Sequence, residues 1–291
     1  MQSLNGGVWL VAGRAGVNYI FLITTQWGST HMNKITHAFL VLVATMALFS
    51  CGGGSTAPKS SVSSSLSIVS SSSSCTNTNG TNTVTDCRDG QTYRTVVIGT
   101  QTWMARNLAY LPSVNAKADY SNKINVASYY VYDYDGTDVV KAKATSNYST
   151  YGVLYSYPAA LTACPTGWHL PDTTEWNTLD SVVGGTAKAG KALKTTTGWK
   201  DDASLIEDVS GYSEDSAYTI GIDSYGFSAL PGGFYFDGFA LNGTRGYWWA
   251  VTGAGSDYSY IWYLSYGYAD AFFMADYRAL GHSVRCLKDT P

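Results

Sequence analysis

Residues 151–179 read YGVLYSYPAALTACPTGWHLPDTTEWNTL, and how this stretch is read decides the fold. Ser156-Tyr157-Pro158 followed by Ala159-Ala160-Leu161 predicts a short helix with proline in its first turn. That helix should stop near Cys164-Pro165, because the residue before proline avoids helical geometry. Asp172 with Glu175 three positions on has the pattern of a capping box. Trp176, Leu179 and Val183 then share one helical face, and Gly184-Gly185 ends the second helix.

Working outward, Arg88-Asp89-Gly90-Gln91 reads as a turn. Thr92 to Ile98 (TYRTVVI) is rich in β-branched and aromatic residues, and Thr102-Trp103-Met104 resumes the pattern after Gly99, so 91–105 is expected to be a hairpin. Residues 112–150 are polar and tyrosine-rich without a helical period, which predicts a long loop region with short strands. After residue 200, Gly, Asp, Ser and aromatics dominate. Short strands are expected at 226–230, 233–236, 246–251, 259–265 and 282–287. The resulting fold class is α+β, two helices packed on short antiparallel strands.

The N-terminal side has a different composition. Residues 38–50 (AFLVLVATMALFS) are an apolar run behind Met32-Asn33-Lys34 and ahead of Cys51. Basic head, short apolar core and a cysteine after a small residue describe a secretory leader. A membrane span needs about 20 apolar residues, more than this run has. Leu48-Phe49-Ser50-Cys51 resembles a bacterial lipobox, which implies cleavage before Cys51 and lipid on its sulfur. Residues 1–31 lack a basic head and are expected to be a mis-assigned extension upstream of a start at Met32. Residues 52–74 are mostly Gly and Ser and cannot bury enough apolar surface to order themselves, so they should form a stalk. The globular domain is thus 75–291.

The chain holds 18 Lys+Arg against 21 Asp+Glu; without the leader's Arg14 and Lys34, 16 basic side chains remain, a net charge of −5. A mildly acidic domain has no general attraction for phosphate backbones, so no nucleic-acid partner is expected. Beyond Cys51, four cysteines remain, Cys75, Cys87, Cys164 and Cys286. Four cysteines allow three pairings. Cys75–Cys87 with Cys164–Cys286 is favoured, the first closing a short entrance loop. The second closes a loop long enough to contribute about 4–5 kcal/mol in the chain-entropy model. A zinc site is the competing reading, but no C-x-x-C spacing exists and only His169 and His282 lie beyond the leader. No metal or other cofactor is expected. Asp133, Asp135 and Asp138 lack the later bidentate Glu of a calcium loop and read as a polar turn.

DGQTYRTVVIGTQTWMARNL (89–108), the stretch 151–179, YGFSALPGGF (225–234), GYWWAVT (246–252) and HSVRCLKD (282–289) together resemble the Fibrobacter succinogenes major paralogous domain family, over about 87–289. That family is similar in turn to the C-type lectin-like fold, including the branch of formylglycine-generating enzymes. The resemblance implies a long disulfide at Cys164 and Cys286. It does not imply calcium-dependent sugar binding, since neither the Glu-Pro-Asn or Gln-Pro-Asp loop nor the Trp-Asn-Asp strand occurs. Formylglycine generation needs reactive cysteines late in the chain, where only Cys286 lies.

The C-terminal part also resembles the variable proteins of diversity-generating retroelements, whose lectin-like surface is a mutable binding face. Residues 246–281 carry Tyr258, Tyr260, Tyr263, Tyr268, Asp270, Phe272, Phe273 and Tyr277, together with Tyr266 and Asp276, and no lysine. Tyr offers rigid, amphipathic contact at low entropic cost. Trp248, Trp249, Trp262 and Leu264 read as core. If Trp262 and Leu264 point inward, Ile261, Tyr263 and Ser265 should point outward. His169 and His282 read as structural, and Glu175 as a helix cap. No G-x-S-x-G and no histidine-linked nucleophile is visible, so catalysis is not expected. The expected function is recognition of an extracellular protein or glycan by a lipoprotein of the cell envelope, anchored to the outer membrane through Cys51 and surface-exposed. The alternatives are attachment to a fixed polysaccharide or another cell, and an enzyme of the formylglycine-generating type.

Overall fold

A computed structural model describes residues 75–116, 124–200 and 221–290. The expected upstream extension, leader, lipidation of Cys51 and serine-rich stalk lie outside the described residues.

Two sheets organise the domain. The first has the order β1-β2-β3-β4-β14-β7, from β1 (Thr78–Gly80), β2 (Thr83–Thr85), β3 (Thr92–Ile98), β4 (Gln101–Met104), β7 (Trp168–His169) and β14 (Leu287–Lys288). The expected hairpin is β3–β4, turning through Gly99 at φ +60°. The second sheet has the order β12-β11-β10-β13-β6-β5, from β5 (Tyr129–Tyr130), β6 (Leu154–Tyr155), β10 (Arg245–Gly253), β11 (Tyr258–Ser265), β12 (Ala271–Tyr277) and β13 (His282–Ser283). A further hairpin, β8 (Gly232–Tyr235) with β9 (Phe239–Asn242), joins β10 through β8 in parallel. The chain is α+β with strand predominating.

The helices follow their local signals. In α3 (Tyr157–Ala160) Pro158 sits in the first turn. In α4 (Thr173–Val182) the Asp172 side chain accepts from the Glu175 amide at 2.7 Å, and Glu175 accepts from the Asp172 amide at 2.9 Å, a closed capping box. Three further helices correct the expected pair. α1 (Val139–Lys143) and α2 (Ser146–Tyr151) are capped by Asp138 and Thr145, and are too short to show a period in sequence. α5 (Thr186–Leu193) restarts directly after Gly184-Gly185, because Ala, Lys and Leu favour helix once the glycines have turned the chain.

The strand expected at 226–230 is absent. Gly226 and Ser228 are both at positive φ, and Asp223 accepts from the Ser228 amide and hydroxyl at 2.8 Å, which holds a turn instead. The expected strand 282–287 splits into β13 and β14, one for each sheet. Asp133 occupies a turn at φ +61°, while Asp138 is engaged as the α1 cap.

Both expected disulfides are present, Cys75–Cys87 and Cys164–Cys286, with Cα separations of 5.7 and 5.8 Å. The second ties the end of α3 to the chain between the two sheets.

The second sheet has core on both sides. One cluster gathers Trp103, Trp176, Phe227, Trp248, Trp262 and Leu264 beneath α4 and α5. The other gathers Tyr93, Tyr155, Tyr247, Trp249 and Ile261. The outward placement of Ile261 and Ser265 is therefore corrected: both are buried, because successive residues of β11 serve two different cores. Tyr263 is half-buried.

Candidate functional site

Register sorts the C-terminal aromatics. Across β10, β11 and β12, Tyr247 stands opposite Tyr263 and Tyr263 opposite Phe272. Their rings stack in sequence, Tyr247 on Tyr263 at 5.5 Å and Tyr263 on Phe272 at 5.1 Å, and Tyr268 meets Phe272 edge-on. Neighbouring positions, Trp248, Trp262 and Phe273, face the opposite core. A ladder of aromatic rings thus crosses one face of the sheet.

The β8–β9 hairpin stands over this face. Phe234 packs edge-on against Tyr247 at 5.6 Å. Gly233, at φ +66°, lets β8 approach the Ala240 carbonyl so closely that a Cβ would collide with it. Between hairpin and sheet lies a cleft of about 820 Å³, a size that accepts a substantial organic ligand. Its walls include Phe234, Leu241, Tyr247 and Met274, with Phe236 and Tyr258 at the rim, 53% and 48% exposed. Two charged residues line it, Arg245 and Asp276.

The two charges are held differently. Asp276 accepts from His282 Nε2 at 2.9 Å and from the Tyr277 amide at 2.8 Å. Burial opposes its ionisation, yet these bonds bring its pKa below the usual carboxylate value. His282 is itself buried, against Trp249 at 4.6 Å and Tyr247 at 5.4 Å. Arg245 is half-buried beside the Tyr247 hydroxyl at 3.4 Å and makes no ion pair among the described residues.

Of the residues expected from sequence, Tyr258 and Tyr277 border the cleft and meet edge-on at 5.8 Å. Tyr263, Tyr268 and Phe272 form the adjoining stack. Phe273 packs against the tryptophan cluster instead, and Tyr260 is exposed and does not line the cleft. Asp270 lies in the β11–β12 loop, where burial raises its pKa.

That loop is clamped from below. Lys194, fully buried after α5, donates through Nζ to the carbonyls of Ser265, Tyr266 and Tyr268 at 3.1, 3.0 and 2.8 Å. Burial lowers its pKa to about 7. The Lys191 amide bonds the Ala269 carbonyl at 2.9 Å, and Gly190 leaves no room for a Cβ against the same backbone.

Sequence reasoning missed Arg245, Tyr247 and Lys194 as site components. Arg245 carried a faint signal, as the basic residue opening the aromatic stretch. Lys194 carried none, because its partners are 71 to 74 residues away.

The other histidine sits elsewhere. His169 bridges Asp289 through Nδ1 at 2.7 Å and Glu175 through Nε2 at 2.8 Å, fastening β7, α4 and the chain end. Burial disfavours its charge, but the two carboxylates outweigh this and its pKa is raised. Among the described residues no group of three or more His, Cys, Asp or Glu is placed to hold a metal ion.

The sequence pattern of the Fibrobacter succinogenes major domain matches residues 96–288. The chain belongs to the Fibrobacter succinogenes major domain family. The matched span runs from β3 to β14, and so contains both sheets' central strands, the cleft and the Cys164–Cys286 bridge. No curated protein and no solved structure matches the chain.

Proposed function

We propose that this Fibrobacter succinogenes major domain is a non-catalytic recognition module of C-type lectin-like fold, carried by a lipoprotein of the cell envelope. The cleft beneath the β8–β9 hairpin supports this reading above any other feature. It joins an aromatic wall, two charged groups and solvent access on a rigid, disulfide-tied sheet. Two disulfides suit an oxidising compartment outside the cytoplasm. The ligand is an extracellular glycan or protein, and the lipid on Cys51 anchors the protein to the outer membrane. Translation starts at Met32, the 32–50 leader is removed, and the 51–74 stalk carries the domain.

The test uses two exposed residues at the rim. The Phe236→Ala, Tyr258→Ala double variant should lose retention on arrays of glycans and surface proteins while its thermal unfolding stays close to that of the parent. Unchanged retention would remove the cleft from the function. Mass spectrometry of the membrane-bound protein should find a diacyl- or triacyl-modified Cys51 at its N-terminus. A chain that begins upstream of Cys51 would refute the anchor. Sequencing of codons 240–291 across a natural population tests the retroelement reading, which requires substitutions concentrated at the exposed tyrosines with Trp248, Leu264 and Cys286 constant.

A further inference from the structure

The two charges that line the cleft differ in how far they are already committed. Asp276 spends both carboxylate oxygens, one on His282 Nε2 and one on the Tyr277 amide. Arg245 has only the phenol of Tyr247, at a long 3.4 Å, and no acid among the described residues. A guanidinium has five N–H donors in a planar fork, so most of this one's capacity stays open. Burial makes that costly to leave unused, since a half-buried cation is partly stripped of water. The surrounding phenols of Tyr247, Tyr263 and Tyr268 soften the cost but cannot accept two parallel bonds as a carboxylate does.

The walls fix the rest of the ligand. Tyr247, Tyr258 and Tyr277 line the same space, and a tyrosine side chain carries both an apolar ring and a hydroxyl. A pyranose has the matching pair of surfaces, an apolar C–H face and a rim of hydroxyls. The cleft, at about 820 Å³, exceeds what one sugar ring needs, and Phe236 and Tyr258 extend the aromatic surface outward at its rim. A short oligosaccharide fits this length, with one acidic unit inside and its neighbours on the rim.

We propose that the cleft binds an acidic glycan, with the carboxylate of a uronic acid unit forked onto Arg245 and its ring stacked on the tyrosine wall. This rests on the recognition role proposed above and names its ligand class. A neutral glycan would leave the guanidinium unpaired.

The probe is trigalacturonate, measured by calorimetry against the full chain, with the carboxyl-reduced trisaccharide and an acidic hexapeptide as comparisons. Trigalacturonate should bind, and the carboxyl-reduced trisaccharide should bind at least about tenfold more weakly, as for the loss of a charge-assisted pair. Arg245→Gln should weaken trigalacturonate by about ten- to a hundredfold with little change in melting temperature. Arg245→Lys should recover part of this, because it restores charge without the fork. Rising salt should weaken the parent and leave Arg245→Gln nearly unaffected. Equal binding of the acidic and reduced trisaccharides overturns the proposal but keeps the cleft as a glycan site if both are lost in the Phe236→Ala, Tyr258→Ala variant. Binding of the hexapeptide alone overturns it in favour of a protein ligand. Trigalacturonate that does not bind at millimolar concentration overturns it outright.

Discussion

The two faces of the β10–β11–β12 sheet are built from the same kinds of residue and do different things. One face carries Trp248, Trp262, Leu264 and Phe273 against α4 and α5, where Trp176 stacks on Trp262 at 4.6 Å. The other carries Tyr247, Tyr263 and Phe272 beside a cleft. Aromatic density therefore does not distinguish core from site. The difference lies in the partner element: two helices close the first face, whereas a hairpin stands off the second and leaves room.

The contrast can be broken from the core side first. Trp262→Ala should cost about 3–5 kcal/mol of stability, the range for emptying a buried aromatic position, read as a large fall in melting temperature. A loss below about 1 kcal/mol would mean the helical face is not the core. Asp180 lies on that face and accepts from Trp262 Nε1 at 3.2 Å through both oxygens. Burial raises its pKa to about 6, above the usual 3.8. A carboxyl raised on folding favours the folded state while protonated, below about pH 4, and that contribution is lost as pH rises through 6. Stability should therefore fall by up to about 3 kcal/mol from this group between pH 4 and neutrality. Asp180→Asn keeps an acceptor for Trp262 and should flatten that slope in a series of melting curves against pH.

The cleft side responds more weakly. Lys194→Met strips three loop carbonyls of their donor and should cost about 1–3 kcal/mol. Hydrogen exchange should quicken at 265–270 before it does in β10. Uniform quickening would show that the clamp serves the whole sheet. The smallest effect belongs to the rim: Tyr258→Ala should shift unfolding by no more than about 0.5 kcal/mol while weakening ligand capture. That combination, set against Trp262→Ala, separates site from core.

Much of the fold was legible because its signals are local. Pro158, the Asp172–Glu175 box and the β3–β4 pattern each act within a few residues, and each formed as its sequence dictates. α1 and α2 were illegible, since five or six residues cannot display a period. α5 was hidden by the two glycines that precede it. The 226–230 segment has strand-like residues, but Asp223 captures Ser228 and bends it.

By itself the sequence determined the family, the α+β class and the density of tyrosine near the C-terminus, and it favoured the disulfide pairing that forms. These depend on residue type, short spacing and motif order. Only the tertiary structure decided which aromatics face the cleft, that Ile261 is buried, that Lys194 holds the β11–β12 loop and that Arg245 is left without an acid partner among the described residues. A strand's two faces are equivalent in sequence until something packs on them, and here both faces gained a core. Side chains 71 to 74 residues from their partners are brought together only by the register of the sheet and the helix laid against it.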